Sequence, residues 1–154
     1  MRVGVPKESR SGEKRVALVP DIINKLIRLG YEVEIESGAG IHAQATDKDY
    51  EAAGAKISKD VLSTSDVILS VQPLTATQFG KVRKGAVTIS FLSPTGAADS
   101  VAAAASAGAT AFSLELVPRI SRAQSMDALT SQALCAGYKA ALIGAELSPR
   151  FFNV

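Results

Sequence analysis

The chain has few of the residues on which several common classes of site depend. Its 154 residues include one cysteine, one histidine and no tryptophan. Cys135 has no second cysteine with which to form an internal disulfide, and a structural zinc site needs about four Cys or His ligands. The composition therefore excludes a disulfide framework and a Cys/His zinc centre, and we expect no metal cofactor.

Charge and hydropathy exclude two further classes of function. Lys and Arg number 17 against 15 Asp and Glu, and no basic run is dense enough to neutralise a series of phosphates. We therefore expect no nucleic acid partner. No apolar stretch approaches the roughly 20 residues that span a bilayer, and residues 1–4 begin a strand rather than a signal peptide. These features predict a cytoplasmic protein without direct membrane insertion.

Short β-rich runs alternate with helical stretches along the chain. This pattern predicts an α/β fold with a doubly wound, mostly parallel sheet of the flavodoxin-like or Rossmann-like three-layer type and a long C-terminal helix. Strands are predicted at residues 2–6, 32–36, 55–58, 67–71, 86–92 and 110–116. Helices are predicted at residues 20–29, 47–53, 99–107 and 126–147, with a helical turn at 59–62. We expect residues 1–125 to form one domain and residues 126–154 a connecting helix.

The last predicted helix is rich in small side chains. Ala133, Gly137, Ala140 and Gly144 would let another backbone approach closely. We expect this helix to be packed on more than one side.

Residues 38–43 read GAGIHA and formally match the dinucleotide fingerprint G-x-G-x-x-G/A. A phosphate site needs a helix N-terminus directly behind the glycines, where free N–H groups are available. The next good N-cap is Thr46 or Asp47, so the sequence favours a structural turn over a nucleotide site. For the same reason we expect His42 to be a solvated loop residue rather than a base or metal ligand.

The segment Arg119–Asp127 carries two arginines, a glutamine and an aspartate between a strand end and a helix start, where α/β folds place ligand sites. Arg119 and Gln124 offer hydrogen-bonding groups that suit an amide-bearing ring, and Asp127 would hold either in place. The alternative is structural: Ser121 and Gln124 form a capping box, and Asp127 favours the positive end of the helix. Residue types alone leave both interpretations open.

As a whole, the chain resembles the α-subunit of proton-translocating NAD(P) transhydrogenase and its relative alanine dehydrogenase, which share an N-terminal domain. Residues 2–8 (RVGVPKE), 13–17 (EKRVA) and 36–40 (ESGAG) resemble the shared motifs. Residues 118–129 (PRISRAQSMDAL) and 136–140 (AGYKA) resemble the transhydrogenase side specifically. The resemblance implies hydride transfer between NAD(H) and NADP(H), coupled to proton translocation.

The resemblance also implies cofactors, partners and site residues. NAD(H) would bind the complete component, and NADP(H) a partner component. Expected partners are a second copy in a homodimer and the NADP-binding and membrane-spanning subunits, which would hold the protein peripherally on the inner membrane. The expected catalytic residues are Arg119, Gln124 and Asp127. The expected cofactor-binding residues are Arg119, Ile120, Ser121, Arg122, Gln124 and Asp127.

Two other functions remain as alternatives. Alanine dehydrogenase resembles this chain at Arg15, which there holds the substrate carboxylate, but it also uses a Lys and a His where this chain has Gln72 and Ser93. The second alternative is a non-catalytic dimerisation or assembly domain that docks through residues 147–154. In the transhydrogenase family the pair matched by Phe151–Phe152 precedes a Rossmann domain. We therefore expect a fragment truncated before that domain and inactive by itself.

Overall fold

A computed structural model describes residues 1–150, so Phe151–Phe152 and the rest of the 147–154 end lie outside the described residues. The chain divides into two compact units, Met1–Ser113 and Leu114–Val154. The division that we expect after residue 125 stays a prediction.

Met1–Ser113 contains a sheet of six parallel strands within the described residues. The strands are β1 (Arg2–Val5), β2 (Glu32–Glu36), β3 (Lys56–Ser58), β4 (Val67–Leu69), β5 (Val87–Ser90) and β6 (Thr110–Ser113). Their order across the sheet is β3-β2-β1-β4-β5-β6. The order reverses between β1 and β4, which is the arrangement of a doubly wound fold.

The helices are short apart from the last one. They are α1 (Pro20–Arg28), α2 (Asp47–Ala52), α3 (Ala76–Phe79), α4 (Ala98–Ser106) and α5 (Ala128–Leu147). Single turns of 3-10 helix cover Ile41–Ala43 and Leu114–Leu116, and a longer one covers Ser121–Met126. The predicted α/β fold with a long C-terminal helix is confirmed.

Two hydrophobic cores lie on opposite faces of the sheet. Ile23 of α1 and Tyr50 of α2 pack with Val5 in the first core. Ile68 packs with Phe79 of α3 in the second core. Ile68 pairs with Gly4, the neighbour of Val5, and successive strand residues point to opposite faces. The sheet is therefore covered by helices on both sides, as a doubly wound sheet requires.

The structure corrects three details of the predicted elements. Residues 59–62 form no helical turn, because the Asp60 carboxylate accepts the main-chain N–H groups of Leu62 and Ser63 and holds a bend instead. The last strand ends at Ser113 rather than at residue 116 and continues as 3-10 helix. Helix α3 is absent from the predictions although Thr75 and Gln78 form a capping box at its start.

Helix α5 has no buried residue along its 20 positions. Leu134, Tyr138 and Leu147 are 74%, 70% and 77% exposed, and nothing lies within 4 Å of where a side chain on Gly137 would begin. Within the described residues, the expected packing on more than one side is therefore wrong. Small side chains permit close approach of another backbone, but they do not supply one.

Candidate functional site

The segment between β6 and α5 folds into helical turns rather than into an extended loop. The main-chain N–H of Ala123 donates to the carbonyl of Ile120 at 2.9 Å, inside the 3-10 helix Ser121–Met126. The side chain of Ala123 is buried, whereas Arg119 and Gln124 are exposed. The short helix therefore has an anchored side and a polar side that faces solvent.

A cavity of about 250 Å³ lies against this polar side. Its lining consists of Pro118, Arg119, Ile120, Ser121, Ala123, Gln124 and Asp127. Five of the six expected cofactor-binding residues thus meet around one space, and Arg122 lies outside the lining. A guanidinium, an amide, a hydroxyl and a carboxylate together offer donors and acceptors to a polar planar ligand.

Asp127 has a structural role that its residue type alone does not reveal. It is the N-cap of α5: the main-chain N–H of Thr130 donates to Asp127 Oδ1 at 2.9 Å, and the Thr130 hydroxyl donates to Oδ2 at 2.6 Å. These two donors, with a further contribution from the charge of Arg119, lower the pKa of Asp127. Asp127 is therefore ionised at neutral pH and held in place by α5.

The capping box that we considered for Ser121 and Gln124 is wrong. The N-cap of the 3-10 helix is Ile120, and no side chain caps this helix start. The position that caps α5 lies three residues further on, at Asp127. Helix capping thus accounts for Asp127 and leaves Gln124 without this structural explanation.

The glycine motif at residues 38–43 is a packing turn. Helix α2 begins only at Asp47 after the N-cap Thr46, as predicted, and the 3-10 helix Ile41–Ala43 intervenes. A side chain on Gly40 would meet the ring of Tyr50 at 2.6 Å, so this position requires glycine for close packing. The Asp47 carboxylate accepts the N–H of Gly38 at 2.8 Å. His42 is exposed in this turn.

A second polar cluster lies at the carboxyl ends of β1 and β4, where the strand order reverses. The Glu8 carboxylate accepts the main-chain N–H groups of Val71 and Gln72 at 2.6 and 3.1 Å. Burial raises the pKa of Glu8, and these two N–H groups oppose the shift. Our sequence reasoning assigned no role to Glu8, although its place directly after the first strand of a doubly wound sheet was a readable signal.

Gln72 is saturated with hydrogen bonds in this second cluster. Its Nε2 donates to Glu13 at 2.7 Å, its Oε1 accepts from Arg10 at 2.9 Å, and its carbonyl accepts the hydroxyl of Ser70 at 2.8 Å. Ser93, the other position that separates this chain from alanine dehydrogenase, follows β5 with a φ of 49°. Gln72 therefore completes a polar network that a lysine would not reproduce, because an ammonium cannot accept the Arg10 hydrogen bond.

Membrane and metal features are limited to what the described residues contain. No helix within residues 1–150 has both the length and the apolar character needed to cross a bilayer. Over the same residues, no group of three or more His, Cys, Asp or Glu side chains is arranged to hold a metal ion.

Comparisons with known proteins agree with the fold. The chain is 43% identical over 160 aligned residues to the first of the polypeptides of NAD(P) transhydrogenase subunit alpha of Rhodospirillum rubrum, with 99% of this chain and 42% of that protein covered. The crystal structure of transhydrogenase from Sinorhizobium meliloti matches with a TM-score of 0.94 at 42% identity, over 97% of this chain and 46% of that one. Alanine dehydrogenase of Mycobacterium tuberculosis is more distant, at 34% identity over 94% of this chain and 39% of that protein.

The chain thus spans less than half the length of these relatives. The family model for the N-terminal domain of alanine dehydrogenase/PNT matches residues 4–136, which is most of the chain. This match includes the sheet, the 3-10 helix beside the cavity and the beginning of α5. The chain belongs to the alanine dehydrogenase/PNT N-terminal domain family.

Proposed function

We propose that the chain is the N-terminal portion of the NAD(H)-binding component of a proton-translocating transhydrogenase. The observation that carries this proposal is the cavity lined by Arg119, Ser121, Gln124 and Asp127. The greater identity to transhydrogenase subunits than to alanine dehydrogenase supports it. The complete component would bind NAD(H), and a partner component would bind NADP(H).

The hydride chemistry belongs to the nicotinamide cofactors, and the residues of this chain orient and enclose the ring. Gln124 presents a donor and an acceptor at the cavity, which matches the two groups of a carboxamide. Arg119 adds a fixed positive charge and a fork of donors. Asp127 is rigid because α5 holds its carboxylate. Such a site acts by positioning, and none of these side chains needs to be an acid or base.

The same proposal assigns partners and location. The protein would form a homodimer and associate with the NADP-binding and membrane-spanning subunits. It would lie in the cytoplasm, peripheral to the inner membrane. The 154-residue chain alone would be inactive, because it supplies only a portion of a nicotinamide site.

The first experiment is NADH oxidation by the full-length gene product. It is supplied in one arm with the membrane subunits and an NADP⁺ analogue, and in the other with pyruvate and ammonium. Reduction of the analogue supports the proposal. Oxidation that requires pyruvate and ammonium would instead establish an amino-acid dehydrogenase and contradict the argument from Gln72 and Ser93.

Variants of the cavity test the positioning role. In the assembled complex, Gln124→Ala is expected to slow hydride transfer by about 10²-fold, while NADH binding changes much less. Ser121→Ala and Ser125→Ala form a matched pair in the same 3-10 helix, because only Ser121 lines the cavity. Equal losses in rate and affinity for Gln124→Ala would reduce this residue to a binding element.

Asp127 needs a variant that separates its two roles. Asp127→Ala removes both the charge and the helix cap, whereas Asp127→Ser keeps a cap acceptor for the N–H of Thr130. Slow hydride transfer in both variants would assign the effect to the carboxylate at the cavity. Recovery in Asp127→Ser would assign it to the start of α5.

A further inference from the structure

The crevice at the strand-order reversal of the sheet contains a complete set of carboxylate ligands. In doubly wound sheets, ligands bind outside the carboxyl ends of the strands at this point. The segment after β1 supplies Glu13 and Arg15, and the segment after β4 supplies Gln72. We call these three residues the switch-point site.

The guanidinium of Arg15 is engaged in the geometry that it would use for a bound carboxylic acid. Its Nε donates to Glu13 Oε1 at 2.8 Å, and its Nη2 donates to Oε2 at 2.6 Å. Two parallel N–H···O bonds to one carboxylate form the strong bidentate pair that gives arginine its selectivity for such ligands. Here both bonds go to a side chain two residues away.

Two further donors complete the shell around the Glu13 carboxylate. The main-chain N–H of Arg15 donates to Oε1 at 3.0 Å, and Gln72 Nε2 donates to Oε2 at 2.7 Å. The Glu13 side chain is only 7% exposed, against 42% for Arg15. The hydrogen bond from Arg15 is the main cause that lowers the pKa of Glu13 to about 2. The carboxylate is thus ionised, desolvated and enclosed, like a bound ligand.

A purely structural role explains this arrangement less well. Glu8 already ties the segment after β1 to the end of β4 through the N–H groups of Val71 and Gln72. The Glu13–Arg15 pair spans two residues of one segment and adds no long-range connection of its own. Only the amide of Gln72 links this pair to β4, by one hydrogen bond.

We propose that the switch-point site is a binding site for small carboxylates whose ligand position is filled by the chain's own Glu13. Glu13 is then the residue that keeps carboxylic acids out of this crevice. The proposal concerns residues of Met1–Ser113 and no nicotinamide, so it stands or falls independently of the function proposed above.

The test is removal of the internal carboxylate and its replacement by a free one. Glu13→Ala in the 154-residue chain frees the Arg15 fork and the Gln72 amide, and acetate is the probe. Binding is measured by titration of ¹⁵N-labelled protein, with chloride at equal ionic strength as the reference. We expect saturable shifts around Arg15 and Gln72 in Glu13→Ala, with an acetate dissociation constant at least tenfold lower than that of the unmodified chain.

Matched variants separate the site from general electrostatic effects. Glu51→Ala removes an exposed glutamate of α2 and should bind acetate no better than the unmodified chain. The double variant Glu13→Ala/Arg15→Ala should lose the gained affinity. If Glu13→Ala is poorly folded, acetate should raise its melting temperature more than chloride does, and more than in the double variant.

Three outcomes would overturn the proposal. The first is a folded Glu13→Ala chain that does not bind acetate. The second is acetate binding of equal strength in the unmodified chain, because the site would then be open. The third is binding that persists without Arg15, or thermal rescue that acetate and chloride provide equally.

Discussion

Met1–Ser113 and the described residues of Leu114–Val154 are both rich in apolar side chains, but they use them differently. In the first unit, side chains such as Ile23, Tyr50 and Ile68 are fully buried between helices and sheet. In the second, α5 has no buried residue, and Leu134 and Leu147 remain mostly exposed. Apolar composition produces a core only where strands and helices alternate and stack in layers.

Truncation of a core side chain gives the largest expected effect and tests the first half of this comparison. Phe79→Ala removes a ring that is 1% exposed between α3 and the sheet, and the cavity left behind should lower the free energy of unfolding by about 3–5 kcal/mol. Urea unfolding followed by circular dichroism measures the change. Phe112→Ala is the matched control, because Phe112 of β6 is 57% exposed and its loss should cost about 1 kcal/mol. Equal costs would break the comparison.

Loss of one buried hydroxyl is the next largest effect. The Tyr50 hydroxyl donates to the carbonyl of Leu18 at 2.8 Å in the first core. Tyr50→Phe leaves this carbonyl without that partner, at a cost of about 1–3 kcal/mol. Tyr138→Phe on α5, where the ring is 70% exposed, should change the free energy of unfolding by about 0.5 kcal/mol or less. A Tyr138 effect as large as that of Tyr50 would contradict the exposure of α5.

Acid pH should weaken the first unit through Glu13, and the effect is absent at neutral pH. The pKa of Glu13 is lowered from 4.5 to about 2, chiefly by the hydrogen bond from Arg15, so its ionised form stabilises the fold above pH 4.5. This stabilisation is lost as the pH falls from about 4.5 through about 2. The raised pKa of Glu8 acts in the opposite direction and offsets some of the loss.

Glu13→Gln removes the titrating group and isolates its contribution. The difference in free energy of unfolding between the unmodified chain and Glu13→Gln should shrink between about pH 5 and about pH 2.5. Urea unfolding at a series of pH values measures this difference. A constant difference across the series would show that Glu13 has no lowered pKa.

Truncation of an apolar side chain on α5 should have the smallest effect. Leu134 is 74% exposed, so Leu134→Ala should change the free energy of unfolding by about 0.5 kcal/mol or less. Leu74→Ala, at a position 3% exposed in the second core, is the control and should cost about 2–5 kcal/mol. A cost above about 2 kcal/mol for Leu134 would mean that α5 is covered in solution.

Local chemistry made much of the fold predictable. Pro20 begins α1 and Gly30 follows its end with a φ of 86°, both as their residue types indicate. Thr75 and Gln78 carried an equally readable signal for α3, which our predictions did not use. The bend at Asp60 was misread as helical, because a carboxylate that bonds to nearby N–H groups can serve a turn or a helix start.

The polar residues of the candidate site were predictable as a set, but their individual roles were not. Arg119, Gln124 and Asp127 occur within nine residues, so any compact fold of the segment brings them near one another. That Asp127 caps α5 depends on the helix beginning at Ala128 rather than at residue 126. A shift of two residues decides which side chain meets the free N–H groups.

The amino-acid sequence by itself determined the α/β class, most strands and helices, and the short segment that lines the cavity, because these follow from periodicity, caps and residues close together in the chain. Only the tertiary structure decided that Gly40 lies against Tyr50 and that Glu13 reaches Gln72, 59 positions away. Such contacts depend on strand order and register, which bring distant segments to one edge of the sheet and leave no pattern in the local sequence.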